Sequence, residues 1–269
     1  LQDCIAEDGR IHSTFNQTEA RTGRISSLEP NLQNIPVRTA EGRRLREYFN
    51  APAGRALCDA DYSQIELRVL ASMSGDANMI NAFGSGTDIH TVTASQVFGL
   101  PQDMITPELR SRAKAVNFGI VYGIGAFSLS KDIGVTRAEA DRYIKSYLAA
   151  YPGVAAYMEK AIEDAKKNGF VTTLYGRRRY IPELSNSNGN MRAFGERVAR
   201  NAPIQGTAAD IIKIAMIKVS RSLKEEFPTA RLILQVHDEL IVECDEKDAE
   251  DICTLLEREM ENAADLAVR

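Results

Sequence analysis

The position of the strand-forming runs narrows the fold most. Arg55–Asp61 reads as a buried strand and Leu232–Glu243 as strand, tight turn, strand, whereas residues from about 74 to 190 carry the caps and periodicity of helices. With strands at both ends and helices between them, the simplest architecture is one α+β domain built from the two ends of the chain and interrupted by a mainly helical insertion. A chain of 269 residues is long enough for both parts to bury a core. No repeat, low-complexity tract or Gly/Ser-rich linker marks another boundary.

Cap and turn chemistry sets the elements. Asp8-Gly9 predicts a hairpin, and Thr22–Pro36, rich in Ser, Asn, Gly and Pro, an extended loop. A helix is expected from about Ser63, carrying Ile65, Leu67, Val69 and Leu70. Thr87-Asp88 can cap another. Thr106 followed by Pro107 and Glu108 opens a third, running to about Tyr122, where Gly123 offers a left-handed stop. Thr136-x-x-Glu139 is a capping box, and Pro152 and Gly169 punctuate the stretch beyond it. Phe170–Leu174 and Arg178–Ile181 flank a Tyr-Gly turn. Thr207-x-x-Asp210 predicts a further capping box, opening a helix with Ile212, Ala215, Val219 and Leu223 on one stripe.

Several classes are excluded. No apolar run approaches the ~20 residues of a membrane span, and the first residues lack the pattern of a signal peptide. The four cysteines, Cys4, Cys58, Cys244 and Cys253, show no CxxC spacing, so neither a secreted disulfide scaffold nor a zinc ribbon is expected. The net charge of −4 leans away from a nucleic-acid partner, but it is an average. Glu243–Asp265 carries ten acids and two bases, so the window sums to −8 and the remainder to +4. The remaining bases gather at Arg38, Arg43, Arg44 and Arg46, at Arg110, Arg112 and Lys114, at Arg177–Arg179, and at Arg192, Arg197 and Arg200. Such clusters are solvated faces unless the fold joins them into one surface.

Three segments carry chemistry. In Asp59-Ala60-Asp61-Tyr62-Ser63-Gln64-Ile65-Glu66, a carboxylate ends a buried strand, which is costly unless the charge is paired or metal-bound. An isolated Asp61 here more often caps the next helix, and alternation points Asp59 the same way. In Gln235-Val236-His237-Asp238-Glu239, two acids stand at a hairpin tip, alone only a polar turn. Paired with Asp61, they become what a two-metal phosphoryl-transfer site needs, rigid hard-oxygen ligands from distant parts of the chain. In the third segment Arg110, Lys114, Phe118 and Tyr122 recur every four residues and so share one helical stripe. A stripe grading from cationic to aromatic suits a nucleoside triphosphate; a solvated basic start with a core-facing aromatic end fits the spacing equally well.

Together these segments resemble the polymerase region of bacterial family A DNA polymerases. The signature motifs occur in order as DYSQIELR, RxxxKxxxFGxxYG and QVHDE. They are accompanied by TGRISSxxPNLQNIP at Thr22–Pro36, DIHT at Asp88–Thr91, YGRRRYIP at Tyr175–Pro182 and NAPIQGTAADIIK at Asn201–Lys213. The similarity extends from about residue 9 to about 260. It implies an α+β right-hand fold, with a palm formed by residues 1–73 and 191–269 and helical fingers by 74–190. The family's helical thumb is missing, so a truncated fragment with weak, salt-sensitive DNA binding is expected.

The resemblance also implies roles. Asp61 and Asp238 would bind two Mg²⁺ ions, with the Tyr62 carbonyl as a further ligand and Glu239 as an auxiliary acid; this favours Asp61 over Asp59. Arg110, Lys114 and His90 would hold the triphosphate, and Lys114 would protonate departing pyrophosphate. Glu66, buttressed by Tyr122, would exclude a ribose 2′-hydroxyl, and Phe118 would stack on the incoming nucleotide; Gln64 would also line its site. Arg24, Arg197, Asn201, Gln205 and His237 would line the primer-template minor groove, where base N3 and O2 acceptors are alike for all pairs. The implied reaction adds deoxynucleotides from their triphosphates to a primer 3′-hydroxyl, in a cytoplasmic, nucleoid-associated monomer without membrane contact.

Overall fold

The computed structural model describes residues 2–36 and 39–268, so Arg38 of the first basic cluster lies outside the described residues. The first elements are β1 (Thr14–Asn16), β2 (Ser26–Leu28), α1 (Ala40–Arg46), β3 (Arg55–Asp61), α2 (Ile65–Ser74), α3 (Ala77–Gly84) and α4 (Ile89–Phe98). Then come α5 (Pro107–Val121), α6 (Ala126–Ile133), α7 (Arg137–Ala150), α8 (Pro152–Asn168), β4 (Phe170–Thr172) and β5 (Arg178–Tyr180). A long α9 (Gly189–Glu226) leads to β6 (Arg231–Val236), β7 (Glu239–Asp245) and α10 (Ala249–Glu261). These form two compact units: Leu1–Ser63 with Ala208–Asp265, and Gln64–Thr207 with Leu266–Arg269.

The first unit is organised by an antiparallel sheet in the order β3-β7-β6. The two ends of the chain meet here, Arg55 opposite Asp245 and Asp61 opposite Glu239. Cys58, Val242 and Cys244 on the sheet are buried, as are Ile252, Leu255, Leu256 and Met260 of α10, which packs against β3. The Cys58 thiol lies 3.3 Å from the Ala249 carbonyl at the start of α10. Alternation along β3 therefore sends Asp59 and Asp61 to the opposite face, away from the acidic helix. Ile212, Ala215, Val219 and Leu223 are all buried, as their stripe predicts.

The second unit is helical apart from the β4–β5 hairpin. Leu67, Val69, Leu70 and Ala71 of α2 are fully buried, and α4 packs on α5 and α7. Phe98 meets Tyr143 edge-on at 5.0 Å. Asp76, itself buried, accepts from Met79 N–H at 2.9 Å to cap α3 and from Gly153 N–H at 2.7 Å at the start of α8. A Cβ on Gly153 would lie 2.9 Å from Asp76 Cα, so only glycine admits this approach.

Local readings hold at most junctions. Thr106 caps α5 with Pro107 at its first position, Thr136 and Glu139 form a complete capping box, and Asp88 caps α4. Gly123 has φ +66° just after α5. Two expectations change. Thr22–Pro36 is not wholly loop, because β2 pairs with β1 there. The capping box at Thr207 does not form, since Thr207 lies inside α9 and its hydroxyl donates to the Pro203 carbonyl at 2.7 Å. Burial of Ala202, Ile204, Ala208, Ala209 and Ile211 on both sides keeps the chain helical where local chemistry suggests a start.

Candidate active site

In the first unit, the strand end and the hairpin tip are joined by register. Asp61 pairs with Glu239, and the Tyr62 N–H donates to the Asp238 carbonyl at 3.1 Å. A two-residue turn, with His237 at φ +52°, carries Asp238 between β6 and β7. That turn is braced from within the unit. Gln33 Nε2 donates to both the backbone carbonyl and the side-chain oxygen of Gln235 at 3.0 Å, and Gln235 in turn donates to the His237 carbonyl. The Tyr62 hydroxyl, bonded to the Met260 carbonyl at 2.6 Å, anchors the strand end.

The carboxylates are mutually unfavourable. Burial, then the charge of Asp59, raises the Asp61 pKa, which His237 partly offsets. Glu239 is pushed up to about 7, first by burial and then by its hydrogen bond to Asp59 and the charges of Asp59 and Asp61, against a small opposing effect of Arg46. Among the described residues no group of three or more His, Cys, Asp or Glu is arranged to hold a metal by itself. Mg²⁺ asks for less, one or two carboxylates with water and substrate phosphates completing the shell. A cluster of hard oxygens whose charged forms are disfavoured by burial and by one another fits such an ion.

In the second unit, α5 presents the graded stripe. Phe118 and Tyr122 stack with centroids 6.5 Å apart, and Lys114 Nζ lies 6.0 Å from the Phe118 ring. His90, in the first turn of α4, is buried with its ring 5.9 Å from Phe118. Arg110 makes a two-pronged bond to Asp88, both contacts at 2.9 Å. Asp88 also accepts from the N–H and hydroxyl of Thr91. Burial opposes ionisation, but Arg110 and Thr91 prevail and hold the Asp88 pKa at about 2.

A depressed carboxylate pKa adds stability that is full above the unfolded value, near 3.8, and is lost as pH falls towards 2. Asp88→Asn keeps an acceptor for the α4 cap but removes the charge. It is expected to lower stability by about 1 kcal/mol at neutral pH, with the gap to wild type closing between about pH 4 and pH 2. Thermal melting at these pH values measures it; a constant gap would show that the ion pair contributes nothing.

Arg197, Asn201 and Gln205 recur every four residues along α9 and share its face. The first two reach the end of α5: Asn201 Nδ2 donates to the Val121 carbonyl at 3.3 Å, and a Cβ on Gly123 would lie 3.3 Å from Arg197 Cγ. Gln64 precedes α2 in a left-handed conformation, φ 55°, and Glu66 in the first turn is buried. Arg24 lies before β2 in the first unit, partly buried. Sequence reading missed the support around these groups, namely Gln33 and Gln235 behind the turn, Asp88 as the partner of Arg110, and Asn117 beside His90. Each lies within a motif, but only packing reveals what it touches.

Compared with known families, residues 1–269 match DNA polymerase family A, and the chain belongs to that family. Its relatives include DNA polymerase I of Caldicellulosiruptor bescii, 50% identical over 268 residues, and of Pseudomonas aeruginosa, 53% identical over 260. These alignments take in 100% and 97% of this chain but only 32% and 28% of the relatives. Among solved structures, the POL domain of Pol1 from M. smegmatis, in complex with DNA primer-template and dNTP, matches with a TM-score of 0.95 and 48% identity, over 99% of this chain and 47% of that one. Among the described residues no helix is long and apolar enough to cross a membrane.

Proposed function

We propose that the chain performs template-directed DNA synthesis, transferring a nucleotidyl group from a deoxynucleoside triphosphate to a primer 3′-hydroxyl. The observation that carries this reading is the joining of Asp61 and Tyr62 to Asp238 and Glu239 by strand register, from positions more than 170 residues apart. Residues 1–73 and 191–269 serve as palm and 74–190 as fingers. The related Pol1 domain, solved with primer-template and dNTP, supports these partners.

Asp61, Asp238 and the Tyr62 carbonyl would hold two Mg²⁺ ions. Bound there, the metal supplies Lewis-acid activation of the hydroxyl and charge neutralisation at the triphosphate. Glu239, easily protonated, accepts or returns a proton near the primer end. Arg110 exchanges its bond to Asp88 for phosphate oxygens, and His90 donates to the same group. Lys114 gives a proton from Nζ to departing pyrophosphate. Phe118 stacks on the nucleotide, with Tyr122 beside it. Arg24, Arg197, Asn201, Gln205 and His237 donate to minor-groove acceptors, testing pair geometry without reading sequence.

Primer extension with Mg²⁺ and deoxynucleotides tests the reading. Binding of primer-template without extension would replace it by a non-catalytic binding role, and cleavage of labelled DNA without nucleotides by a nuclease. Binding is expected to weaken by about tenfold or more between 50 and 200 mM salt, the response to neutralising about two phosphates. Fluorescence anisotropy reads this directly; tight, salt-insensitive binding would contradict it.

A further inference from the structure

We propose that Asn117 is a positioning residue for nucleotide binding: its side-chain amide donates to Nδ1 of His90 and so holds the imidazole as the neutral tautomer that offers Nε2–H to a phosphate oxygen. The inference rests on the reading of His90 as a triphosphate contact and adds the group that prepares it.

Asn117 Nδ2 lies 3.0 Å from His90 Nδ1, and both residues are buried, at 0% and 1% exposure. The amide is held in turn by Thr93, whose hydroxyl lies 3.1 Å from Nδ2 and 3.3 Å from Oδ1. The Thr93 hydroxyl also lies 3.3 Å from that of Tyr151. Three buried polar side chains, from α4, from α5 and from the residue before α8, thus form a chain that ends at one ring nitrogen. An amide N–H facing Nδ1 requires a lone pair there, which puts the proton of the neutral ring on Nε2. It also opposes a second proton, because Nδ1–H would then confront the amide N–H.

Burial and the two cations nearby act in the same sense. Burial lowers the ring pKa most; Asp88, on the cap of its own helix, favours the charged form, while Arg110 and Lys114 of α5 disfavour it, and the outcome is a pKa of about 4. A neutral ring at assay pH can donate to phosphate through only one nitrogen, so which one carries the proton decides whether His90 helps or repels. His90 is 1% exposed, and the Asn117 contact sets the position of its proton in the free protein.

The test uses the full chain labelled with ¹⁵N-histidine. It contains three histidines, and the His90 signal is identified by its loss in His90→Gln. Long-range ¹H–¹⁵N spectra of the wild type are expected to show a neutral ring protonated on Nε2 from about pH 6 to about pH 8. Asn117→Asp preserves shape but replaces the donor with a charged acceptor, so His90 should titrate within that range. The calorimetric Kd for a deoxynucleoside triphosphate with Mg²⁺ should then vary about tenfold with pH, beyond the variation in wild type. In the Asn117→Asp/His90→Gln double variant that extra dependence should vanish.

A wild-type proton on Nδ1, an unresponsive His90 in Asn117→Asp, or pH dependence that persists in the double variant would overturn the proposal. The wild-type spectrum decides the first of these even if the variant folds poorly. His90→Gln with unchanged Kd would instead defeat the reading of His90 as a phosphate contact, and the inference with it. Weakened binding in His90→Gln beside an unresponsive ring in Asn117→Asp would defeat the inference alone.

Discussion

Asp61→Ala and Asp238→Ala are each expected to reduce primer extension at least about a thousandfold, while the chain remains folded. Both carboxylates stand where strand register brings two ends of the sequence together, and neither is needed for that register. The pairing of Asp61 with Glu239 and the bond from Tyr62 N–H to the Asp238 carbonyl are made by backbone. Removing Asp61 also takes one negative charge from beside Asp59 and Glu239, so the melting temperature should hold or rise in the absence of metal. Loss of extension with unchanged or raised stability separates a catalytic role from a structural one. Extension that survives either substitution would refute the metal assignment.

Glu66→Ala is expected to cut the discrimination between deoxyribonucleotides and ribonucleotides about a hundredfold, or ~2.7 kcal/mol, measured as the ratio of kcat/KM values. Glu66 is 4% exposed in the first turn of α2, with Gln64 left-handed just before it. If Glu66 is the residue that excludes a ribose 2′-hydroxyl, truncating it to a methyl group opens the space that the additional hydroxyl needs. Glu66→Gln, nearly the same in shape, should retain discrimination. If Glu66→Ala still rejects ribonucleotides as strongly, selection lies elsewhere.

Much of the fold is legible because local chemistry and tertiary demand agree. Thr106 with Pro107, the Thr136–Glu139 box and Gly123 each act where their residue types lead one to expect. Thr207 shows where agreement fails. Its box is correct as local chemistry, yet buried residues on both sides continue α9 through it and turn its hydroxyl back to Pro203. The candidate site divides in the same way. Asp61, Asp238, Arg110 and Lys114 stand out as charged groups in rigid surroundings, and the family motifs sharpen them.

Sequence alone therefore determined the family, the α+β order of elements and the identity of the chemical groups, because these reside in short-range patterns and motif spacing. Only tertiary structure decided what each group touches. It made Asp61 the cross-strand partner of Glu239, tied Arg110 to Asp88, and set the Asn117 amide against one nitrogen of His90. It also carried the acidic last helix to the sheet face away from Asp61, so the negative average charge says little about the face that carries Asp61. Register, burial and side-chain pairing depend on residues far apart in the chain, and no local pattern encodes which of several compatible partners will meet.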